Sequence, residues 1–284
     1  MSRPTTFCCE GGRRRAIALR SVATYLDRIL EAHRARAASD HRSLPSLIDA
    51  AVVAAPTRGF RAALLDAAAV DGIAVIAEVK RRSPSKGALV AELDPAVLGA
   101  AYAAGGAACL STLTDEEFFG GSITDLQAAR RASGRPVLRK DFTVSALDVC
   151  DTRLMGADCV LLIAAALDDD ELAELHALAR RVGLDALVEV HDEAELARAM
   201  AAGADLVGVN QRDLATFEVD QERAVRMAPR MPDGVVRVAE SGIRGAHDAR
   251  VLAQAGYHAL LVGESLVTSG DAAAAVAELR ASAR

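Results

Sequence analysis

The segment Gly156-Ala-Asp-Cys-Val-Leu-Leu-Ile163 decides the fold of this 284-residue chain. A glycine closes an alanine-rich helical stretch, a small polar pair follows, and an apolar run with strand character comes next. The same form recurs at Gly106-Ala-Ala-Cys-Leu110, Gly203-Ala-Asp-Leu-Val-Gly-Val209 and Gly256-Tyr-His-Ala-Leu-Leu-Val262, at intervals of 50, 47 and 53 residues. Each glycine falls where a helix C-terminus needs a positive φ before a buried strand. Between these lie four more apolar, β-branched runs: Ile73–Val79, Pro136–Leu138, Ala186–Val190 and Val235–Ala239. Helices separate them. In Asp168–Gly183 acidic residues open the helix, Leu172, Leu175, Ala179 and Val182 share one face, and a glycine ends it. A period near 50 residues holds two strand–helix units, so four periods hold eight. That arithmetic predicts an α/β fold of the (β/α)8 TIM-barrel type. A doubly wound sheet needs neither eight such strands nor a quarter-turn repeat.

Outward from the repeat, the N-terminal side is helical. In Thr24–Ala37, Tyr25, Leu26, Ile29, Leu30 and His33 share a face, and residues 43–54 and 59–69 continue in the same manner. A helical extension over about residues 21–70, packed on the barrel, is expected. No linker or low-complexity tract breaks the chain, so residues 21–284 read as one domain. Residues 1–20, with Arg13-Arg14-Arg15 and only Ala-Ile-Ala-Leu before Arg20, lack a signal-peptide core. They read as a disordered leader or a start-site extension.

Composition narrows the function. Lys plus Arg number 33 and Asp plus Glu 39, for a net charge of −6, and there is no Trp. A mildly acidic chain poor in aromatics is a weak match for a nucleic-acid binder or a membrane-surface protein. Residues 95–114 carry no charge, but Gly105-Gly106 interrupts them, so a short helix and a short strand are expected rather than a membrane span. Five cysteines without C-x-x-C spacing fit a reducing cytoplasm. The six histidines lack metal-ligand spacing, so no metal is expected.

Strand ends in such a barrel face the catalytic mouth, and here they are charged. The first run ends in Glu78-Val-Lys80, the third in Arg139-Lys140-Asp141, the fifth in Glu189-Val-His191, the sixth in Asn210-Gln-Arg212 and the seventh in Glu240-Ser241-Gly242. A single charged strand end is an ordinary solvated residue. Repeated around a barrel, such ends mark an active site, because charges brought together shift one another's pKa values. Glycine elements after the seventh and eighth runs, Glu240-Ser241-Gly242 and Gly263-Glu264-Ser265, suit a phosphate held on backbone N–H groups.

These residues resemble a known family. Ile-Ala-Glu-Val-Lys-Arg-Arg-Ser-Pro-Ser (76–85), Leu-Thr-Asp-Glu-Glu-Phe-Phe-Gly-Gly-Ser (113–122), Leu-Arg-Lys-Asp-Phe (138–142), Leu-Val-Glu-Val-His (187–191), Gly-Val-Asn-Gln-Arg-Asp-Leu (208–214) and Ala-Glu-Ser-Gly-Ile (239–243) are similar to motifs of indole-3-glycerol phosphate synthase. The resemblance covers roughly residues 24–280. It implies ring closure of 1-(2-carboxyphenylamino)-1-deoxyribulose 5-phosphate to indole-3-glycerol phosphate, with loss of CO2 and water and no metal or organic cofactor. It places the family's acid lysine at Lys140. Glu78, Lys80 and Glu189 match residues credited with charge stabilisation and proton transfer. Asn210 would position substrate hydroxyls, with Glu240 and Ser241 at the rim. Ser83, Gly242, Gly263 and Glu264 would hold the phosphate, Phe119 and Phe142 would wall the aromatic ring, and Arg212 joins the substrate-binding set. Association with other tryptophan-pathway enzymes is left open.

The chain departs from the pattern in places. Glu264 stands where relatives often carry serine, Thr112 occupies a commonly aliphatic strand position, and Trp is absent. Two alternatives remain. A phosphoribosyl isomerase-like barrel would share the fold but need a Cys/Asp or Asp/Asp pair on opposite strands. A catalytically inactive partner subunit would be expected to have lost part of the Lys/Glu set.

Overall fold

Eight parallel strands close on themselves in the computed structural model, which describes residues 24–83, 87–90, 92–213 and 216–283. The expected leader at 1–20 lies outside them. The strands are β1 (Ala74–Val79), β2 (Cys109–Leu113), β3 (Val137–Lys140), β4 (Cys159–Ile163), β5 (Asp185–Val190), β6 (Leu206–Asn210), β7 (Val236–Glu240) and β8 (Ala259–Val262). Each pairs in parallel with the next, and β8 returns to β1 through Ala74–Ala77 against Ala259–Val262. The predicted (β/α)8 barrel is therefore observed.

Three helices precede the barrel: α1 (Tyr25–Ala38), α2 (Leu44–Val53) and α3 (Phe60–Asp71). Around it run α4 (Pro95–Ala104), α5 (Ile123–Ser133), α6 (Ala146–Leu154), α7 (Asp169–Arg181), α8 (Glu193–Ala201), α9 (Arg223–Met227), α10 (Ala246–Gln254), α11 (Glu264–Val267) and α12 (Ala272–Ala281). The repeat glycines do what the pattern requires: Gly106, Gly156, Gly203 and Gly256 have φ of 89°, 92°, 82° and 91°. The uncharged stretch resolves into α4, a glycine stop and β2. No helix among the described residues is long and apolar enough to cross a membrane.

Strand alternation sorts the core. In β1, Val75, Ala77 and Val79 join the layer between barrel and helices, while Ala74 and Ile76 point inward. The inward set continues with Cys109, Leu138, Cys159, Leu161, Leu187, Leu206, Val238 and Leu261. Helix α3 closes the barrel's lower end. Phe60 and Leu64 are fully buried in the inward cluster, and the Asp158 and Asp185 carboxylates accept from the N–H groups of Arg58 and Arg61. Helix α1 opens on a capping box between Thr24 and Asp27 and lies at the opposite end. There Tyr25 packs edge-on against Phe118 and Phe217, in the loops after β2 and β6.

Strand β3 carries the apolar run on to Lys140, where the charged strand end is expected, as its ladder to β2 continues through Arg139 and Lys140. One detail differs from the sequence reading. A two-stranded antiparallel ribbon, Arg82–Ser83 with Gly87–Ala88, follows β1. Its strands are too short to leave a periodic trace.

Candidate active site

Extending the inward register of each strand by one step yields the site. After Ile76 comes Glu78; after Leu138, Lys140; after Leu187, Glu189; after Val238, Glu240; after Leu261, Gly263. The apolar interior thus ends in a layer of charged groups at the C-terminal mouth. Above it lies a cavity of about 570 Å3, lined by every site residue expected from sequence, Ser83, Phe119, Phe142, Arg212, Ser241, Gly242 and Glu264 included.

Lys140 is the hub. Its Nζ donates to Glu189 Oε2 at 2.6 Å and lies 3.3 Å from Glu240 Oε2. Glu189 also accepts from Asn210 Nδ2 at 2.9 Å, and His191 Nε2 lies 3.6 Å from its Oε1. Burial alone would lower the Lys140 ammonium, but Glu189, Glu240 and Glu78 together raise it above the ordinary lysine value. Burial likewise opposes ionisation of Glu189, yet Lys140, His191 and the Asn210 amide outweigh it and hold the carboxyl well below its usual range. Glu240 goes the other way. Burial raises it, Lys140 offsets only part of that, and the neighbouring Glu189 charge adds to it, leaving Glu240 at about 8. Two carboxylates beside one ammonium are pushed apart, the arrangement that separates an acid from a base.

A second pair stands across the mouth. Lys80 Nζ meets Glu78 Oε1 at 2.6 Å, and Ser111 Oγ approaches Glu78 Oε2 at 3.5 Å. The pair occupies space left free by glycine at 263: a Cβ there would lie 2.4 Å from Glu78 Oε1 and 3.0 Å from Lys80 Nζ and displace both tips.

The rim holds the glycine loops. Ser241 and Gly242 both take left-handed backbone, with φ of 66° and 72°. Gln211 Nε2 donates to the Ser241 carbonyl and Gln221 Nε2 to the Gly242 carbonyl, each at 2.8 Å. Ser83 Oγ, on the ribbon after β1, is buried with no hydrogen-bond partner among the described residues. The Thr112 hydroxyl is buried in β2 and also without a partner there. Phe119 and Phe142 face each other with centroids 6.1 Å apart.

Sequence reasoning missed several contributors. His191 was legible as a strand-end residue, yet its closeness to Glu189 was not. Gln211 stands inside the 208–214 motif with no role assigned to it, and Gln221 carries no signal, because an amide in a loop suits any solvated surface. Gly208 looked like part of a motif only, whereas a Cβ there would lie 2.0 Å from Glu240 Oε1.

Comparison with known proteins agrees with the geometry. A family model described as indole-3-glycerol phosphate synthase matches residues 26–279. Proteins of that name from Rhodococcus jostii (strain RHA1) and Mycobacterium avium (strain 104) are 51% and 50% identical over 260 and 261 residues, 90% and 91% of this chain and 94% of each relative. One from Nocardioides sp. (strain ATCC BAA-499 / JS614) is 57% identical over 205 residues, 72% of this chain and 79% of the relative. Among solved structures, a 3-hexulose-6-phosphate synthase shares the fold at a TM-score of 0.58 and 19% identity, over 74% of this chain and 99% of that one. The matched span takes in every strand of the barrel and every group around Lys140, and on that ground the chain belongs to the indole-3-glycerol phosphate synthase family.

Proposed function

We propose that the chain converts 1-(2-carboxyphenylamino)-1-deoxyribulose 5-phosphate into indole-3-glycerol phosphate, CO2 and water, as a carboxy-lyase of tryptophan biosynthesis, with Lys140 as the acid that starts the ring closure. The observation that carries the residue roles is the Lys140 ammonium held between Glu189 and Glu240 beneath a cavity with aromatic walls. Lys140 hydrogen-bonds the ketone oxygen as a carbon–carbon bond forms to the ring carbon bearing the carboxylate. Positive charge then develops on the ring nitrogen, and the ionised Glu189 stabilises it. Loss of CO2 returns the bonding electrons to the ring and restores aromaticity. Dehydration expels the former ketone oxygen as water and needs one proton given and one taken. Lys80 with Glu78, and Glu240 near neutral pH, are the groups for those transfers, and a coupled cluster of this kind shares protons.

Asn210 and the rim residue Ser241 position the substrate hydroxyls. Phe119 and Phe142 wall the ring, and Arg212 supplies a cation to the acidic substrate. The phosphate rests on backbone N–H groups at Gly242, Gly263 and Glu264, with the Ser83 hydroxyl. Backbone donors do not depend on side-chain identity, which is how Glu264 is tolerated. These roles require no metal or organic cofactor. We place the reaction in the cytoplasm, and association with other enzymes of the pathway belongs to the same proposal.

Turnover of the carboxyphenylamino substrate, followed by indole fluorescence, tests the reading. Lys140→Ala should lower kcat by roughly 10²–10⁴, as loss of a general acid does, with substrate affinity kept. No indole product from the wild-type chain would overturn the function, and near-normal kcat in the variant would remove Lys140 from its role. Activity that stops on prolonged chelation and returns with zinc or magnesium would overturn the cofactor-free mechanism.

A further inference from the structure

His33, on the buried face of α1, stands in a cluster of buried ionisable groups at the mouth. It is 5% exposed, and its Nε2 donates to Asp115 Oδ2 at 2.9 Å and lies 3.9 Å from Asp141 Oδ1. Among the described residues, neither aspartate hydrogen-bonds or ion-pairs with the Lys140 cluster. Each shapes a loop instead. Asp115, after β2, accepts the backbone N–H of Phe118 at 2.6 Å and of Phe119 at 3.1 Å. Asp141, after β3, accepts the N–H of Phe142 at 2.9 Å and is held by Thr114 and Arg139. The His33 ring also packs on Phe142, with centroids 5.6 Å apart.

The cluster could be read as a cation site, since a histidine and two carboxylates converge. Its oxygens argue otherwise. Asp115 Oδ1 is taken by two backbone N–H groups and Oδ2 by His33, while Asp141 Oδ1 is taken by Phe142 N and Oδ2 by Thr114 and Arg139. A cation would have to displace these bonds beside a guanidinium.

We infer that His33 is a positioning residue for the aromatic half of the substrate: it pins α1 to the loops after β2 and β3 and so sets the spacing between Phe119 and Phe142. Two loops from neighbouring strands carry the facing rings; Thr114 ties them together through Asp141, and His33 of α1 reaches both aspartates from outside the barrel. The inference rests on the reading of those rings as the walls of the substrate's aromatic ring. It follows that the extension acts on recognition of the ring end and leaves the phosphate end, on the loops after β7 and β8, alone.

The test separates the two ends of the ligand. Binding of indole-3-glycerol phosphate and of glycerol 3-phosphate is measured for the full-length wild type, His33→Ala and His33→Gln. Losing a hydrogen bond to a charged group should weaken indole-3-glycerol phosphate about tenfold or more in His33→Ala, with glycerol 3-phosphate within about twofold. KM should rise by more than kcat falls. His33→Gln keeps an N–H near the Nε2 position and should recover binding to within about threefold. Equal weakening of both ligands, or no weakening of either, overturns the inference, as does failure of glutamine to restore binding. If His33→Ala does not fold, Asp115→Asn is held to the same split between ligands. A wild type that binds neither compound overturns the proposed function, and this inference with it.

Discussion

Ser83 shows how much one atom can say. Its hydroxyl is buried at the cavity edge and lacks a partner among the described residues, a state that costs free energy unless a ligand completes it. Hydrogen bonds to charged groups contribute roughly 1.5–3 kcal/mol. Ser83→Ala should therefore raise KM about tenfold to a hundredfold with a smaller change in kcat, the pattern of lost ground-state binding. Unchanged KM would take the phosphate away from Ser83. Glu240 offers a pH test. Its value of about 8 in the fold exceeds the roughly 4.3 of a free glutamate, so folding favours the protonated form. That stabilisation is complete below about 4.3 and is lost as pH rises through about 8. Glu240→Gln stays neutral throughout, so its melting temperature relative to wild type should climb over that window and level off above it. A difference independent of pH would mean Glu240 is ionised across the range.

At the scale of the element, a strand's small residues decide what its neighbour can present. Gly208 on β6 leaves room for the Glu240 carboxylate of β7, and an alanine Cβ there would lie 2.0 Å from Oε1. Gly208→Ala should cut kcat by about 10² or more, as displacement of a group that must be correctly placed does, while the barrel still folds by circular dichroism. A variant of normal kcat would show that Glu240 has slack. This scale also explains what could be read beforehand. The strands and the Lys140, Glu189 and Glu240 set were legible because a period of two carries the inward face straight from core to mouth. The short ribbon bearing Ser83 was not, since two residues make no period. His33 could be placed on a helix face, but its partner Asp115 is 82 positions away. Nothing local to either residue announces the other.

For the whole molecule, the two ends of the barrel have separate tasks. At the lower end, Asp158 is fully buried and joins four donors: the N–H groups of Arg58 and Val137, and Nε and Nη2 of Arg130. That one carboxylate links the segment leading into α3 with α5 and the start of β3. Removing one partner of a buried, hydrogen-bonded ion pair costs about 3–5 kcal/mol. Asp158→Ala should thus lower the melting temperature by roughly 2–4 °C for each kcal/mol lost, with kcat at 25 °C essentially unchanged because the mouth is untouched. A fall in kcat without loss of stability would mean that the two ends communicate. The closure of β1 on β8 reaches further still. Gly263, beside which Glu78 and Lys80 meet, directly follows β8. While the protein is being made, β1 is finished some 180 residues before its partner strand can leave the ribosome. The nascent chain must hold an open edge on β1 until β8 has emerged, so the active site can be completed only then.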